Sequence, residues 1–375
     1  MVVVSIAGSR SAEELRSLTA QDVMPDAILA QDAFGAVSLD DHDLALVGGL
    51  RGRILKCLPI PLALAVETWW RRAEFDVVLS WGEHVAFPLA LLLSLTPRRR
   101  TGHIAILMWP FNAGDPSALK RWVKRTAYRL LARRGMDRLC IPAPRQRRLA
   151  GERWGIPAER LLDVRWPIDT RFWHPLEGAG DMICSVGVEM RDYPTLLEAL
   201  GPLDIPCHIA GGTSFLKPTF MPDDAQVLGL EGEALADGVT IGPKSPRELR
   251  DLYARSRIVV IPILPTDSDN GVTVVAEAMA MGRVVVTTAT EGRAEVLRDG
   301  INCVLVTPED PDALRSAIVG LWDDPARCAT MGAQGREDIG PAHGIEQWVS
   351  GILAGAAEIA PTAPPRSRAH PSSGG

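Results

Sequence analysis

The second half of the chain switches regularly between two hydrophobic patterns. Short runs of apolar, mostly β-branched residues stand at 182–187 ("MICSVG"), 207–212 ("CHIAGG"), 238–242 ("GVTIG"), 257–264 ("RIVVIPIL"), 283–288 ("RVVVTT") and 302–306 ("NCVLV"). Between and after them, at 192–200, 245–255, 272–281, 292–298 and 309–322, apolar residues recur every three to four positions. A run without a polar face is a strand buried on both sides, and a period of 3.6 is a helix lying against it. Their alternation predicts a parallel, doubly wound α/β sheet. The first half follows the same scheme less regularly. Strands are predicted at 2–6, 27–30, 76–80, 102–108 and 138–141, and helices at 11–18, 60–72, 83–95, 118–134 and 145–151.

A proline-bearing stretch, "WPIDTRFWHPLEGAG" (166–180), separates the halves. A length of 375 residues suits two domains. We therefore expect an N-terminal Rossmann-like domain over 1–165, a linker over 166–180, a second Rossmann-like domain over 181–340, a final helix over 341–358 and a disordered tail over 359–375. Two doubly wound domains in tandem turn the carboxyl ends of their strands toward a shared cleft, where ligands bind.

Composition narrows the class. Hydrophobic residues at 46% and charged residues at 23% are those of a soluble globular protein. A net charge of −6 argues against a general nucleic-acid binder. The charge is uneven, with eleven Lys/Arg between Arg98 and Arg138 against Asp115 and Asp137. The helix at 119–135 is thus either a solvated amphipathic helix or a candidate for peripheral contact with an anionic membrane. The longest apolar stretch, Val85–Leu95, is eleven residues with Pro88 inside, too short to cross a bilayer. "MVVVSIAGSRS" lacks the basic region of a signal peptide and suits a first strand. The six cysteines have no CxxC spacing, which suggests reduced thiols and a cytoplasmic protein.

The run "DSDNGVTVVAEAMAMGRVVV" (267–286) carries the chemistry. It leads from a strand through a polar loop into an apolar helix that contains one carboxylate, Glu277. Asn270 and Gly271 suit irregular backbone at the helix start, and Val272 and Thr273 open its first turn. Exposed amides and the positive end of the helix dipole make an anion site there, most naturally for phosphate. Glu277 lies about 6 Å further along the axis, within reach of a ribose attached to a diphosphate at the helix tip. Asp269 lies on the other side, where a transferred sugar would sit. Each acid has a plainer reading, Asp269 as a helix N-cap and Glu277 as an acid satisfied by backbone amides. "DSD" at 267–269 also resembles a metal-binding DxD motif.

These residues resemble the family 4 retaining glycosyltransferases, which have the GT-B fold. Asp269 and Glu277 are separated by seven residues, and Glu277-Ala-Met-Ala-Met-Gly-Arg-Val-Val-Val matches the family's E-A-M-A-x-G-x-P-V-I run. "ATEGRAEVLRDGINCVLVTPEDPDALRSAI", "CSVGVEMRDYPTLLEAL", "CHIAGG" and "IDTRFWHP" match further blocks in order, so the likeness covers roughly 139–325. The resemblance implies Glu277 on the donor ribose, Asp269 on the sugar, and Arg191 with Lys244 near the diphosphate. It also implies Gly211, Gly212 and Gly242 close to the donor, with no metal and no cofactor. The chain departs from the pattern at Asp269, where Glu is usual, at Asn270-Gly271-Val272-Thr273, where G-F-G is usual, and at Val188, where an Arg is usual.

In the first half, "DVVLSWGEHVAFPLALL" is a strand, a polar turn and a helix opening on the same cleft. Trp81, Glu83 and His84 are candidates for acceptor or sugar contact, as is "LMWPFNAG" (107–114), while His103 at a strand start reads as structural. The expected activity is transfer of a sugar from a nucleoside diphosphate donor to an acceptor, with retention of configuration. A GT-B nucleotide-sugar epimerase and a catalytically silent GT-B binding protein are the alternatives. The acceptor class stays open among lipid-linked glycan, polysaccharide and natural product.

Overall fold

The computed structural model describes residues 1–4, 12–25, 32, 34–97, 101–108, 118–211, 235, 237–266, 269–340 and 343–361, with Ala12 and 118–121 as backbone only. In chain order the first group of elements is β1 (Val2–Val4), α1 (Ala12–Ala20), β2 (Val37–Leu39), α2 (Asp41–Leu46), α3 (Gly49–Lys56), α4 (Ile60–Trp70), β3 (Val77–Trp81), α5 (Glu83–Ser94), β4 (Gly102–Ile106), α6 (Ala118–Gly135), β5 (Arg138–Cys140), α7 (Pro144–Trp154) and β6 (Leu161–Leu162). The second is β7 (Met182–Val186), α8 (Tyr193–Leu200), β8 (Cys207–Ala210), β9 (Val239–Ile241), α9 (Pro246–Arg255), β10 (Ser256–Ile261), α10 (Val272–Ala280), β11 (Val284–Thr288), β12 (Cys303–Val306), α11 (Pro311–Trp322), α12 (Pro325–Ile339) and α13 (Ile345–Ile359).

Each group forms one six-stranded parallel sheet. The orders are β2-β1-β3-β4-β5-β6 and β12-β11-β10-β7-β8-β9. The strands with continuous β-branched runs occupy the centre of the second sheet. There Val259 of β10 pairs with Val285 of β11 and Cys184 of β7, and Ile258–Ile261 are fully buried. Helices cover both faces, one packed through Leu196, Leu314 and Ile318 and the other through Tyr253, Val275 and Met279. The last helix returns to the first sheet: Trp348, Val349 and Ile352 of α13 pack on Leu79, Ile104 and Ile106. The two chain segments that pass between the sheets are bonded to each other, with the Ile168 N–H donating to the His343 carbonyl at 2.8 Å.

None of the six cysteines is bridged, and five are buried. Burial pushes the Cys140 and Cys184 thiols up to about 12, so they act as small apolar packers. No described helix is long and apolar enough to cross a membrane.

The structure corrects some predicted elements. Residues 292–298 form turns, not a helix. The Asn302 side chain donates to the Val296 carbonyl and accepts from the Arg298 N–H, and both groups are thereby diverted from a helical ladder. A helix absent from the prediction, α12, starts at an Asp324 cap followed by Pro325. Short β2, α2, α3 and β6 were likewise not predicted. The strand placed at 27–30 and the tail from 362 lie outside the described residues.

Candidate active site

The second sheet reverses its strand order between β7 and β10, and both chains leave those strands toward the same crevice. Such a switch point is where doubly wound sheets bind ligands. A cleft of about 300 Å³ opens there, lined by Val188, Glu189 and Arg191 after β7, by Asp269–Val274 after β10, and by Met108 and Trp166 from across the cleft.

Arg191 is the centre of this geometry. It is buried, and burial lowers its pKa. Its Nε donates to the Val186 carbonyl at 2.9 Å and a terminal nitrogen donates to the Glu189 carbonyl at 2.8 Å. Among the described residues, no carboxylate lies within ion-pairing distance of it. Gly187 makes room for it, and Gly271 lies beside it, where a Cβ would instead meet Ile263 at 2.8 Å. Gly187 has φ +102°, and a Cβ there would fall 2.4 Å from a guanidinium nitrogen; at Gly271, φ +86°, a Cβ would lie 3.6 Å from the other terminal nitrogen. The guanidinium therefore sits between the turn after β7 and the N-terminus of α10. Tyr193 fastens that turn by donating from its hydroxyl to the Gly187 carbonyl.

The N-cap of α10 is Gly271, which has no side chain to cap with, whereas α8, α9, α11 and α12 carry Asp192, Ser245, Asp310 and Asp324. The first turn of α10 thus presents its positive end to the cleft beside a buried cation, and the two together suit an anion. Asp269 is buried in the cleft wall, and its carbonyl accepts from the Val272 N–H at 3.3 Å.

Glu277 does not line this cleft. It stands one turn further along α10, on the same side as Thr273, and is partly buried. Burial raises its pKa to about 7, opposed by the Tyr253 hydroxyl that donates to Oε2 at 2.8 Å. Tyr253, from the last turn of α9, was not singled out in the sequence, and neither was Trp166. Both sit on apolar or linker patterns that give no chemical signal.

The other candidates are more dispersed. Gly211 is buried at the end of β8, and the Gly242 N–H donates to the Ile209 carbonyl at 3.1 Å. Lys244 stands beside His208, whose pKa is lowered by burial and by that lysine. None of the three lines the cleft, and Gly212 lies outside the described residues. His84 is exposed at the head of α5 and is also outside the cleft wall. Its neighbour Glu83 accepts from the Met108 N–H at 2.6 Å, and Trp81 packs against Trp348 at 5.7 Å. His103 is fully buried between Ser80 Oγ and the Gly135 carbonyl, a structural position. Trp109–Gly114 and the first two residues of "DSD" are outside the described residues.

Residues 187–324, which begin at the Gly187 turn and run through α11, match the sequence model of the family Glycosyl transferases group 1. That segment, 187–324, is therefore similar to the glycosyl transferases group 1 family. In sequence it is 28% identical over 195 residues to a D-inositol 3-phosphate glycosyltransferase of Thermobispora bispora, which is 51% of this chain and 41% of that protein. A second such enzyme, from Thermobifida fusca, is 32% identical over 146 residues, 38% of this chain and 31% of the relative. Each match thus spans less than half of the relative's length. In structure the chain is similar to sucrose-phosphate synthase of Thermosynechococcus elongatus, with TM-score 0.69 and 16% identity over 96% of this chain and 98% of that one. It is also similar to HepE of Anabaena, solved with UDP, with TM-score 0.66 and 15% identity over 95% and 99%. The two six-stranded sheets with their covering helices have the GT-B fold of these neighbours. The matched segment contains the switch-point residues Arg191 and Asp269–Thr273 and also Glu277.

Proposed function

We propose that this protein is a glycosyltransferase that takes a sugar from a nucleoside diphosphate donor and places it on an acceptor. The buried Arg191 guanidinium, held against the start of α10 with no carboxylate partner among the described residues, carries the reading. A diphosphate supplies the anion this arrangement lacks, and negative charge grows on it as the bond to the sugar breaks. The relatives named above are glycosyltransferases, and HepE was solved with UDP and with UDP-glucose.

In this reading Arg191 and the amides of Val272 and Thr273 hold the diphosphate, with no metal needed for that charge. Asp269 orients the transferred sugar, and Glu277 takes the ribose hydroxyls, with Asn270 and Gly271 shaping the loop between. Lys244, Gly211, Gly212 and Gly242 serve a more distant part of the donor. The segment 1–165, which contributes Met108 to the cleft, holds the acceptor, with His84 near it. Retention of configuration is the outcome that the family resemblance implies.

The test is a panel of UDP-, GDP- and dTDP-sugars, followed by thermal shift and by slow hydrolysis of the donor. A transferase is stabilised by one donor and hydrolyses it slowly, and Arg191→Gln weakens that donor by roughly 10- to 150-fold, the worth of a hydrogen bond to a charged group. Isomerisation of the donor, or no response to any member of the panel, would overturn the reading.

A further inference from the structure

Helix α6 packs Tyr128, Leu131 and Ala132 inward but carries further apolar residues on its solvent side. Its eighteen residues include seven Lys/Arg (120, 121, 124, 125, 129, 133 and 134) and no acid, in a chain of net charge −6. The inward side of the helix is fixed by Ala132 and Gly135, which are buried, and by the half-buried Tyr128, stacked on Phe87 at 3.7 Å. At 100° per residue, Trp122, Val123 and Leu130 fall on the opposite side. They are exposed by 64%, 51% and 46%. Every residue from 122 to 127 is exposed, so the N-terminal half of the helix stands clear of the body. Arg129 and Arg134 border this apolar stripe, Arg133 falls within it, and Arg125 stands on the clear N-terminal half; all four are exposed.

We propose that α6 docks the N-terminal domain on an anionic lipid surface. Three observations select that occupant. The cations need a negative partner, which a second copy presenting the same helix does not offer. Trp122, Val123 and Leu130 form an outward stripe that phosphate backbones would leave wet, whereas the boundary between headgroups and acyl chains takes up such a stripe and favours Trp. The helix follows β4 and starts on the side of the sheet where the strands end, which is the cleft side, so docking would bring a membrane next to the site. This goes beyond the donor reading and does not depend on it.

The test is co-sedimentation of the full chain with vesicles of phosphatidylcholine alone and with about one-third phosphatidylglycerol, at low and high salt, in the absence of any nucleotide sugar. Binding is expected only to the anionic vesicles, weakening with salt. Arg125→Glu with Arg129→Glu should reduce partitioning by at least 25-fold, from about fivefold per cation removed. Trp122→Ala with Leu130→Ser should reduce it by roughly tenfold or more. These side chains are exposed, so melting temperature should not move, which separates lost docking from lost fold. Equal binding to neutral vesicles, unaltered binding by both double variants, or light scattering that shows a dimer broken by the same substitutions would each overturn the proposal. So would binding of an unstructured RNA that survives removal of Trp122 and Leu130 while vesicles are ignored.

Discussion

Replacing Gly187 by alanine tests the anion site without touching a charged group. The added Cβ would sit 2.4 Å from one guanidinium nitrogen of Arg191 and 3.0 Å from its central carbon, so the guanidinium must move by about 1 Å. It has nowhere to go without loosening its bonds to Val186 and Glu189. The backbone at φ +102° adds about 1–2 kcal/mol for a residue with a Cβ. Partial loss of hydrogen bonds from a charged donor adds about 1.5–3 kcal/mol. Together we expect roughly 2.5–5 kcal/mol of destabilisation, or about 5–20 °C in melting temperature for a domain of this size. Affinity for the nucleotide sugar should fall by roughly 10- to 150-fold by isothermal titration, because the cation leaves the cleft. In an Arg191→Gln background the same Gly187→Ala change should cost only its backbone share, a coupling of about 1–3 kcal/mol. If Gly187→Ala lowers the melting temperature but leaves donor affinity within twofold, Arg191 does not meet the diphosphate and the reasoning fails.

Other consequences follow from the same geometry. The pKa of Glu277, raised to about 7 in the fold against 4.5 when unfolded, means that the folded protein keeps a proton that the unfolded chain has lost; stability should therefore fall as pH rises from about 4.5 to 7, and Glu277→Gln should flatten that slope in urea titrations. A ribose needs the carboxylate form, so donor affinity should weaken as pH falls through about 7, measured with a UDP-sugar whose esterified diphosphate does not titrate there, and Glu277→Gln should show no such dependence. Tyr253→Phe removes the hydroxyl that lowers the Glu277 pKa, so the midpoint of that binding profile should move up, with a stability loss of about 1 kcal/mol. His84→Ala should leave donor affinity and donor hydrolysis within twofold, since His84 is exposed and outside the cleft wall, while a loss of transfer to an acceptor would place it on the acceptor side.

The sheets were legible because a parallel strand buried on both faces has to be apolar throughout, and runs such as Ile258–Ile261 can be little else. The misplaced helix at 292–298 shows the limit of that logic. Ala294, Val296 and Leu297 are buried, but the Val296 carbonyl and the Arg298 N–H are taken by the side chain of Asn302, itself held by Asp338 from α12. Helix α12 was missed for a related reason. Gly332 and Gly335 look like breakers, yet a Cβ at Gly332 would meet the Gly282 carbonyl at 2.1 Å, so the glycine is set by a contact fifty residues away. In the site, the loop and helix at 269–277 could be read locally. The meeting of Gly187, Arg191 and Gly271, and the bond between Tyr253 and Glu277, depend on strand order, and no local pattern encodes them.

The charge distribution also says why the site should feel its ligand. The Arg191 guanidinium is buried with no carboxylate partner among the described residues, an expensive arrangement, since desolvation is only partly offset by the Val186 and Glu189 carbonyls. The uncapped first turn of α10 adds positive potential of the same sign beside it, which raises that cost in the empty cleft. An anion entering between them relieves both at once, so its apparent affinity includes the removal of a strain already built into the fold. The protein should accordingly gain about 2.7 kcal/mol of stability at a donor concentration a hundredfold above its Kd, and at that same concentration the gain should shrink in Arg191→Gln, whose Kd is higher. An equal gain in both proteins would mean that the anion binds elsewhere.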